Sequence, residues 1–193
     1  MRYFDLQHSV QFSTTLEIGR CKKCGVRYIS VFKPTPHAMP IAIESPNQPE
    51  VIRLIDELDA YQKPLYPAES HHGIDIAALA QANVIFAVVR AEDGSAIACG
   101  AVVVMPEYGE LKRMFVRPEY RGQAIAKNLL AFLEAEAGRQ GCKALMLETG
   151  VKQTEALGLY ERAGYLRRGP FADYIDDPLS VFMHKTVMHE RTA

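Results

Sequence analysis

From Ile41 onward the apolar positions switch period in a definite succession. "IAIES" predicts a short strand. Asn47 is a candidate cap for a helix whose apolar stripe is Val51, Ile52, Leu54, Ile55 and Leu58, the spacing of one buried helical face. After the irregular connector "YQKPLYPAESHHG", the run "IDIAALAQ" predicts a second, short helix capped by Asp75. "VIFAVV" and "AIACGAVVV" are β-rich runs joined by "RAEDGS", where Asp93-Gly94 marks a hairpin. "ELKRMFV" follows the turn "PEYG" as another strand. A long helix from about Ala124 to Gln140 puts Ile125, Leu129, Phe132 and Leu133 on one face and stops at Gly141. "ALMLET" is almost continuously apolar and predicts a buried strand. "TEALGLYERA" predicts a shorter helix ended by Gly164, and "YLRR" and "SVFMHK" predict closing strands around the loop "GPFADYIDDPL". The fold class is therefore α/β (α+β): a mixed, mostly antiparallel central sheet with helices on both faces.

Residues 1–40 do not share this regularity and read as an irregular N-terminal extension, with poor order one expectation for it; residues 41–193 form the main domain. The extension carries one C-x-x-C, Cys21 and Cys24, together with a basic run and three prolines in "QFSTTLEIGRCKKCGVRYISVFKPTPHAMP". Half of a zinc ribbon is one reading. A structural zinc wants four ligands, and His37 alone does not complete the set, so incidental cysteines are favoured and no metal is expected. A working chain that begins at Met39 is a further reading.

Composition narrows the function. Hydrophobic residues at 48% and charged residues at 23% describe a globular chain of 193 residues, long enough to bury a core. A formal net charge of -1 gives no general attraction for nucleic acid or an anionic membrane, so any anion site must be local. No apolar stretch approaches the roughly 20 residues that span a bilayer, and no basic region precedes an apolar one at the N-terminus. Cys99 and Cys142 sit in or beside apolar strand patterns as small core residues, which suits a reducing, cytoplasmic location.

The one stretch that suggests such an anion site is "RPEYRGQAIAKNLL". Backbone N–H groups in the first turn of a helix have no partner inside it, and the helix dipole makes that end electropositive. Small residues at Gly122, Ala124 and Ala126 let a phosphate approach the backbone, and Arg121 adds positive charge. The segment is neither a P-loop nor a dinucleotide fingerprint. A helix start packed tightly on a strand would use the same residues.

Strand, "VRPEYRGQAIA", long helix, strand and "LGLYERAGY" together resemble the GNAT superfamily of N-acetyltransferases over residues 41–187, most closely from Glu110 to Tyr165. Its cofactor motif, [Q/R]-x-x-G-x-[G/A], falls on Arg121, Gly122, Gln123, Ala124, Ile125 and Ala126, with Ala124 where the pattern prefers glycine. The resemblance implies acetyl-CoA as cosubstrate, its pyrophosphate at the amides of Gln123 to Ala126. It implies a pantetheine arm along Met114, Phe115 and Val116, beside a strand splayed from "ALMLET". Gln153 stands where an asparagine commonly contacts the cofactor.

Attack on a thioester needs a neutral amine, an oxyanion donor and an acid for the leaving thiolate. By the resemblance, Tyr160 is the expected general acid; an aromatic that simply packs the helix on the sheet is the other reading. Glu110 matches the base glutamate of the histone-modifying branch, and Glu148 is the competitor. The oxyanion would meet a backbone N–H of the Met114 strand. In the loop, Asp173, Asp176 and Asp177 could attract a cationic amine between Phe171 and Tyr174, or simply be solvated turn residues. His71-His72 reads as an exposed pair. The expected activity is N-acetylation of a small-molecule primary amine in a ternary complex, with a homodimer as a prior and no nucleic-acid or membrane partner. The alternative is an acyl-CoA-binding sensor or interaction module with weak or no catalysis.

Overall fold

The computed structural model describes residues 16–20, 27–31, 39–67 and 73–187. The chain divides into two compact units, Met1–Ala38 and Met39–Ala193. In the first, strand β1 (Leu16–Arg20) pairs antiparallel with β2 (Arg27–Val31). The sequence pattern did not predict this hairpin, because five-residue strands are too short for alternation to stand out. Cys21, Cys24, His37 and the His71-His72 pair lie outside the described residues.

The second unit follows the predicted succession. It runs β3 (Ile41–Ile43), α1 (Pro49–Gln62), α2 (Ile76–Leu79), β4 (Val84–Arg90), β5 (Ala96–Val104) and β6 (Gly109–Val116). It continues with α3 (Ile125–Arg139), β7 (Ala144–Gly150), α4 (Thr154–Arg162), β8 (Leu166–Arg168) and β9 (Ser180–Thr186). These strands form one seven-stranded sheet in the order β3-β4-β5-β6-β7-β9-β8, with β6–β7 as its parallel pair. The expected mixed, mostly antiparallel sheet is thus observed.

Strand alternation sorts the core onto two faces. Ile85, Ala87 and Val89 of β4 pack with Leu129, Leu130 and Leu133 of α3 and Tyr160 of α4. Phe86 and Val88, the intervening residues, pack with Val51, Leu54, Ile55 and Leu58 of α1 and Leu79 of α2. Cys99 and Cys142 are buried and free, as expected of small core residues, and burial pushes the Cys99 thiol up to about 12.

Two helix starts differ from the sequence reading. Gln48, not Asn47, holds the cap position of α1, and Pro49 opens the helix. Proline suits that place because its φ is already helical and its missing N–H would have been unpaired. The Gln48 amide instead reaches back to Glu44 at 2.8 Å. Ala124 lies outside α3, at its cap, rather than in its first turn. Asp75 caps α2 as expected, accepting from the Ala78 N–H at 2.7 Å. Among the described residues no helix is long and apolar enough to cross a membrane.

Leu133 is fully buried between α3 and the sheet. Leu133→Ala is expected to cost about 2–5 kcal/mol of unfolding free energy, the range for a truncated core leucine, read from urea denaturation. A loss below about 1 kcal/mol would mean that the α3 face is not packed as described.

Candidate active site

The site begins with one extra residue in β6. Across from β5, Cys99 pairs with Phe115 and Ala101 with Lys112, so Gly100 faces both Arg113 and Met114. This is a β-bulge, and Arg113 adopts φ 56° to make it. The inserted residue flips the parity of the strand: Leu111 and Val116 belong to the α3 face, Phe115 to the α1 face. The Arg113 side chain ion-pairs with Asp59 of α1, and its Nε donates to the Ile74 carbonyl at 3.0 Å. Such anchoring offsets the cost of a non-glycine residue at positive φ.

On its other side β6 pairs with β7 over three rungs, ending at Leu111↔Leu147. β7 continues against β9 as far as Gly150↔Ser180, but no longer against β6. The two central strands therefore part, and the β6 backbone beyond Leu111 faces the gap. The splay implied by the family resemblance is present in the register.

A cleft of about 840 Å³ enters this fork from the α3–α4 side. Its lining includes Met114, Phe115 and Val116 of β6, then Arg121, Gly122, Ala124, Ile125 and Ala126, then Gln153 and Tyr160. Of the expected cofactor residues Gln123 is the one not among them. The first amide bonded inside α3 is that of Asn128, to the Ala124 carbonyl at 3.0 Å, so the amides before it point out of the helix end. Gly122 at φ 79° and Ala124 at φ 59° bend the loop that aims them. The preference of the motif for glycine thus has a backbone reason beside the steric one: an L-residue with a Cβ is strained there. Arg121 folds back on the strand end, its Nε donating to the Val116 carbonyl at 3.1 Å and its guanidinium 5.3 Å from the Tyr61 ring centroid.

A smaller cavity of about 270 Å³ opens on the α1 side. Leu58, Gln62, Met114, Gln153 and Tyr160 line both spaces, so the two meet at the Tyr160 ring. Tyr160 is buried and packs edge-on against Tyr165, with ring centroids 5.6 Å apart. Burial, then the charge of Glu148, pushes its phenol well above the ordinary tyrosine value. Gln153 accepts at Oε1 from the Thr149 hydroxyl at 3.0 Å.

The structure separates the two candidate carboxylates. Glu148 lines the smaller cavity and accepts at 2.6 Å from the Ser180 hydroxyl. Glu110 does not line it: buried, it takes a hydrogen bond from the Tyr174 hydroxyl at 2.7 Å and an ion pair from Lys112 at 2.9 Å. Phe171 and Tyr174 do not wall either cavity but pack with Tyr108 and Phe182 in an aromatic cluster. Asp173 and Asp176 are exposed, and Asp177 turns in to accept the Leu179 N–H at 2.8 Å. Asp177 thus makes the turn contact that its place before Pro178 favours.

Tyr66 was not foreseen. Its hydroxyl accepts the Lys152 N–H at 2.9 Å, while the Lys152 ammonium donates to the Leu65 carbonyl at 2.8 Å. This clamp joins the connector after α1 to the β7–α4 turn, with the Tyr66 ring against Gly150. The only sequence signal was a glycine ending an apolar strand. Among the described residues no group of His, Cys, Asp and Glu side chains could hold a metal ion.

A family profile described as acetyltransferase (GNAT) matches residues 51–165. The chain is similar to an IAA acetyltransferase of Azospirillum brasilense, 49% identical over 147 residues that cover 75% of this chain and 95% of that one. A crystal structure of a provisionally described acyl-CoA N-acyltransferase from Klebsiella pneumoniae shares 39% identity at a TM-score of 0.68, covering 78% of this chain and 99% of that one. The PaiA N-acetyltransferase of Thermoplasma acidophilum, solved with coenzyme A, shares the fold at a TM-score of 0.60 and 16% identity, covering 77% and 99%.

Two outcomes are expected at this site. Ala124→Gly removes a strained Cβ from φ 59° and should stabilise the fold by up to about 1 kcal/mol in urea denaturation, with tighter coenzyme A binding by calorimetry. Weaker binding would show that the methyl group is not in the way. Gly150→Ala puts a Cβ into the Tyr66 ring and should displace the clamp, seen as faster proteolysis between α1 and β4; an unchanged cleavage rate would count against it.

Proposed function

Because the chain belongs to the GNAT acetyltransferase family, we propose that it moves an acetyl group from acetyl-CoA to a primary amine of a small molecule, by direct attack in a ternary complex. The observation that carries this reading is the meeting of two cavities at Tyr160, one beneath a helix N-terminus and one beside a carboxylate. A thioester entering from the α3–α4 side and an amine entering from the α1 side would come face to face there.

Residues 121–126 bind the cosubstrate: the amides at the α3 start hold its pyrophosphate, aided by the helix dipole. The β6 backbone along Met114, Phe115 and Val116 orients the pantetheine arm, and the Gln153 amide assists. An N–H of the bulged strand stabilises the oxyanion. Tyr160 donates its proton to the departing thiolate, and its raised pKa keeps that proton in place until then. Glu148 takes the proton of the ammonium, directly or through water, since it and not Glu110 faces the cavity. Glu110 holds Lys112 and Tyr174 in place.

Tyr160→Phe is expected to lower kcat by about 100-fold while coenzyme A affinity stays within about threefold. Thiol release gives the first number and calorimetry the second; undiminished turnover removes Tyr160 from the acid role. The raised pKa fixes the sign of the pH dependence. A phenol held above its usual value of roughly 10 stays protonated through pH 9, so any alkaline fall in kcat below that pH must persist in Tyr160→Phe. Glu148→Gln should abolish the rising acid limb of kcat/KM, and its survival would place the base elsewhere.

A further inference from the structure

The smaller cavity carries opposite charges on its two walls. Lys112 of β6 and Glu148 of β7 each follow the last paired rung, Leu111↔Leu147, at the mouth of the fork. Leu111 and Leu147 both lie in the α3-side core, so the residues after them turn to the opposite face. Both line the cavity there. The β6–α1 wall bears Lys63, Lys112 and Arg113; Arg113 pairs with Asp59 and Lys112 with Glu110, which lies outside the cavity, while Lys63 is exposed. The β7–α4 wall bears Glu148 beside Thr149, Gln153 and Tyr160.

Lys112 is held unusually well for a lysine. Its ammonium pairs with Glu110 at 2.9 Å and donates to the Tyr174 hydroxyl, which itself donates to Glu110 at 2.7 Å. Its side chain is only 12% exposed. Lysine ordinarily loses much side-chain entropy when it binds a ligand, but here that loss belongs to folding. A largely desolvated, pre-oriented ammonium on the wall of a polar cavity is a recognition element for an oxyanion. With only a proton to remove from the amine, the cavity would need Glu148 alone.

We infer that the acceptor is dipolar: an amine that also carries a carboxylate or a phosphoryl group. The inference rests on the proposed acetyl transfer to a small amine and narrows its substrate class. The ammonium of the acceptor lies toward Glu148 and Tyr160, and its anionic group lies toward Lys112 and Lys63. Lys112 and Lys63 are specificity residues in this arrangement and take no part in the chemical step.

The test uses matched acceptor pairs with the full chain. Tyrosine against tyramine and histidine against histamine probe the carboxylate; phosphoethanolamine against ethanolamine probes the phosphoryl group. Thiol release should favour the anionic member of at least one pair by about tenfold or more in kcat/KM, the scale of one charge-assisted hydrogen bond. The better arm identifies the anion. Lys63→Gln, an exposed position that leaves the fold undisturbed, should shrink that preference by raising KM with kcat unchanged, and Lys112→Arg should retain part of it. Calorimetry of the coenzyme A-saturated chain with each pair reads the same preference without turnover. Equal or better binding and turnover of the member that lacks the anionic group in every pair overturns the inference, as does a preference that Lys63→Gln and Lys112→Arg leave untouched. Selective binding of the anionic member with no transfer to any amine supports the inference and overturns the acetyl-transfer reading instead.

Discussion

A single surplus residue in β6, together with the loss of pairing to β7 after three rungs, sets the terms for the rest of this molecule. A regular seven-stranded sheet would have closed its hydrogen bonds and presented only side chains. The bulge at Arg113 turns the strand, and the parting from β7 leaves main-chain polar groups facing a gap. Unpaired backbone groups are costly to bury in an apolar setting. The gap is therefore lined with polar groups on one side of the sheet and opens on the other into the larger cleft.

Several contacts keep that arrangement from collapsing. Arg113 is anchored on Asp59 and the Ile74 carbonyl, so the residue that carries the backbone strain also ties α1 and the segment leading into α2 to the strand. Arg117 pairs with Glu57 of α1 at 2.8 Å, and Arg121 lies on Tyr61 of the same helix. Helix α1 therefore braces the fork along its length. The Tyr66–Lys152 clamp braces the opposite arm, where β7 turns into α4. Rigid placement of this kind matters because a positioning error of about 1 Å can cost two orders of magnitude in rate.

Charge is distributed with the same economy. Glu110 and Glu148 stand on adjacent strands, yet one is closed in by Tyr174 and Lys112 while the other opens into the cavity. Two carboxylates in similar chemical surroundings would compete for one proton. Their separation leaves one fixing a neighbouring cation and the other lining the cavity. The acidic loop packs its aromatic residues on β9, where Ser180 donates to Glu148.

The order and type of the elements from Ile41 to Thr186 were legible in the sequence, because period-two and period-3.6 patterns report which face of each element is buried. The helix-start motif was legible for a local reason too: a turn into a helix N-terminus is built from consecutive residues, and Arg121 to Ala126 make it within six positions. The left-handed backbone at Ala124 and Arg113 was hidden, since neither is glycine, and only the ladder to β5 shows where a residue is surplus. Glu110 and Glu148 looked equivalent as strand residues, and Asp177 looked available to a ligand. What divided the two carboxylates was contact with residues 64 and 32 positions away in the chain, Tyr174 for Glu110 and Ser180 for Glu148, whereas Asp177 met the Leu179 N–H only two positions on. Local periodicity therefore determined the succession of elements, and a local motif the turn into α3; tertiary pairing alone decided which side chains share a cavity, because that depends on strand register and not on neighbours in sequence.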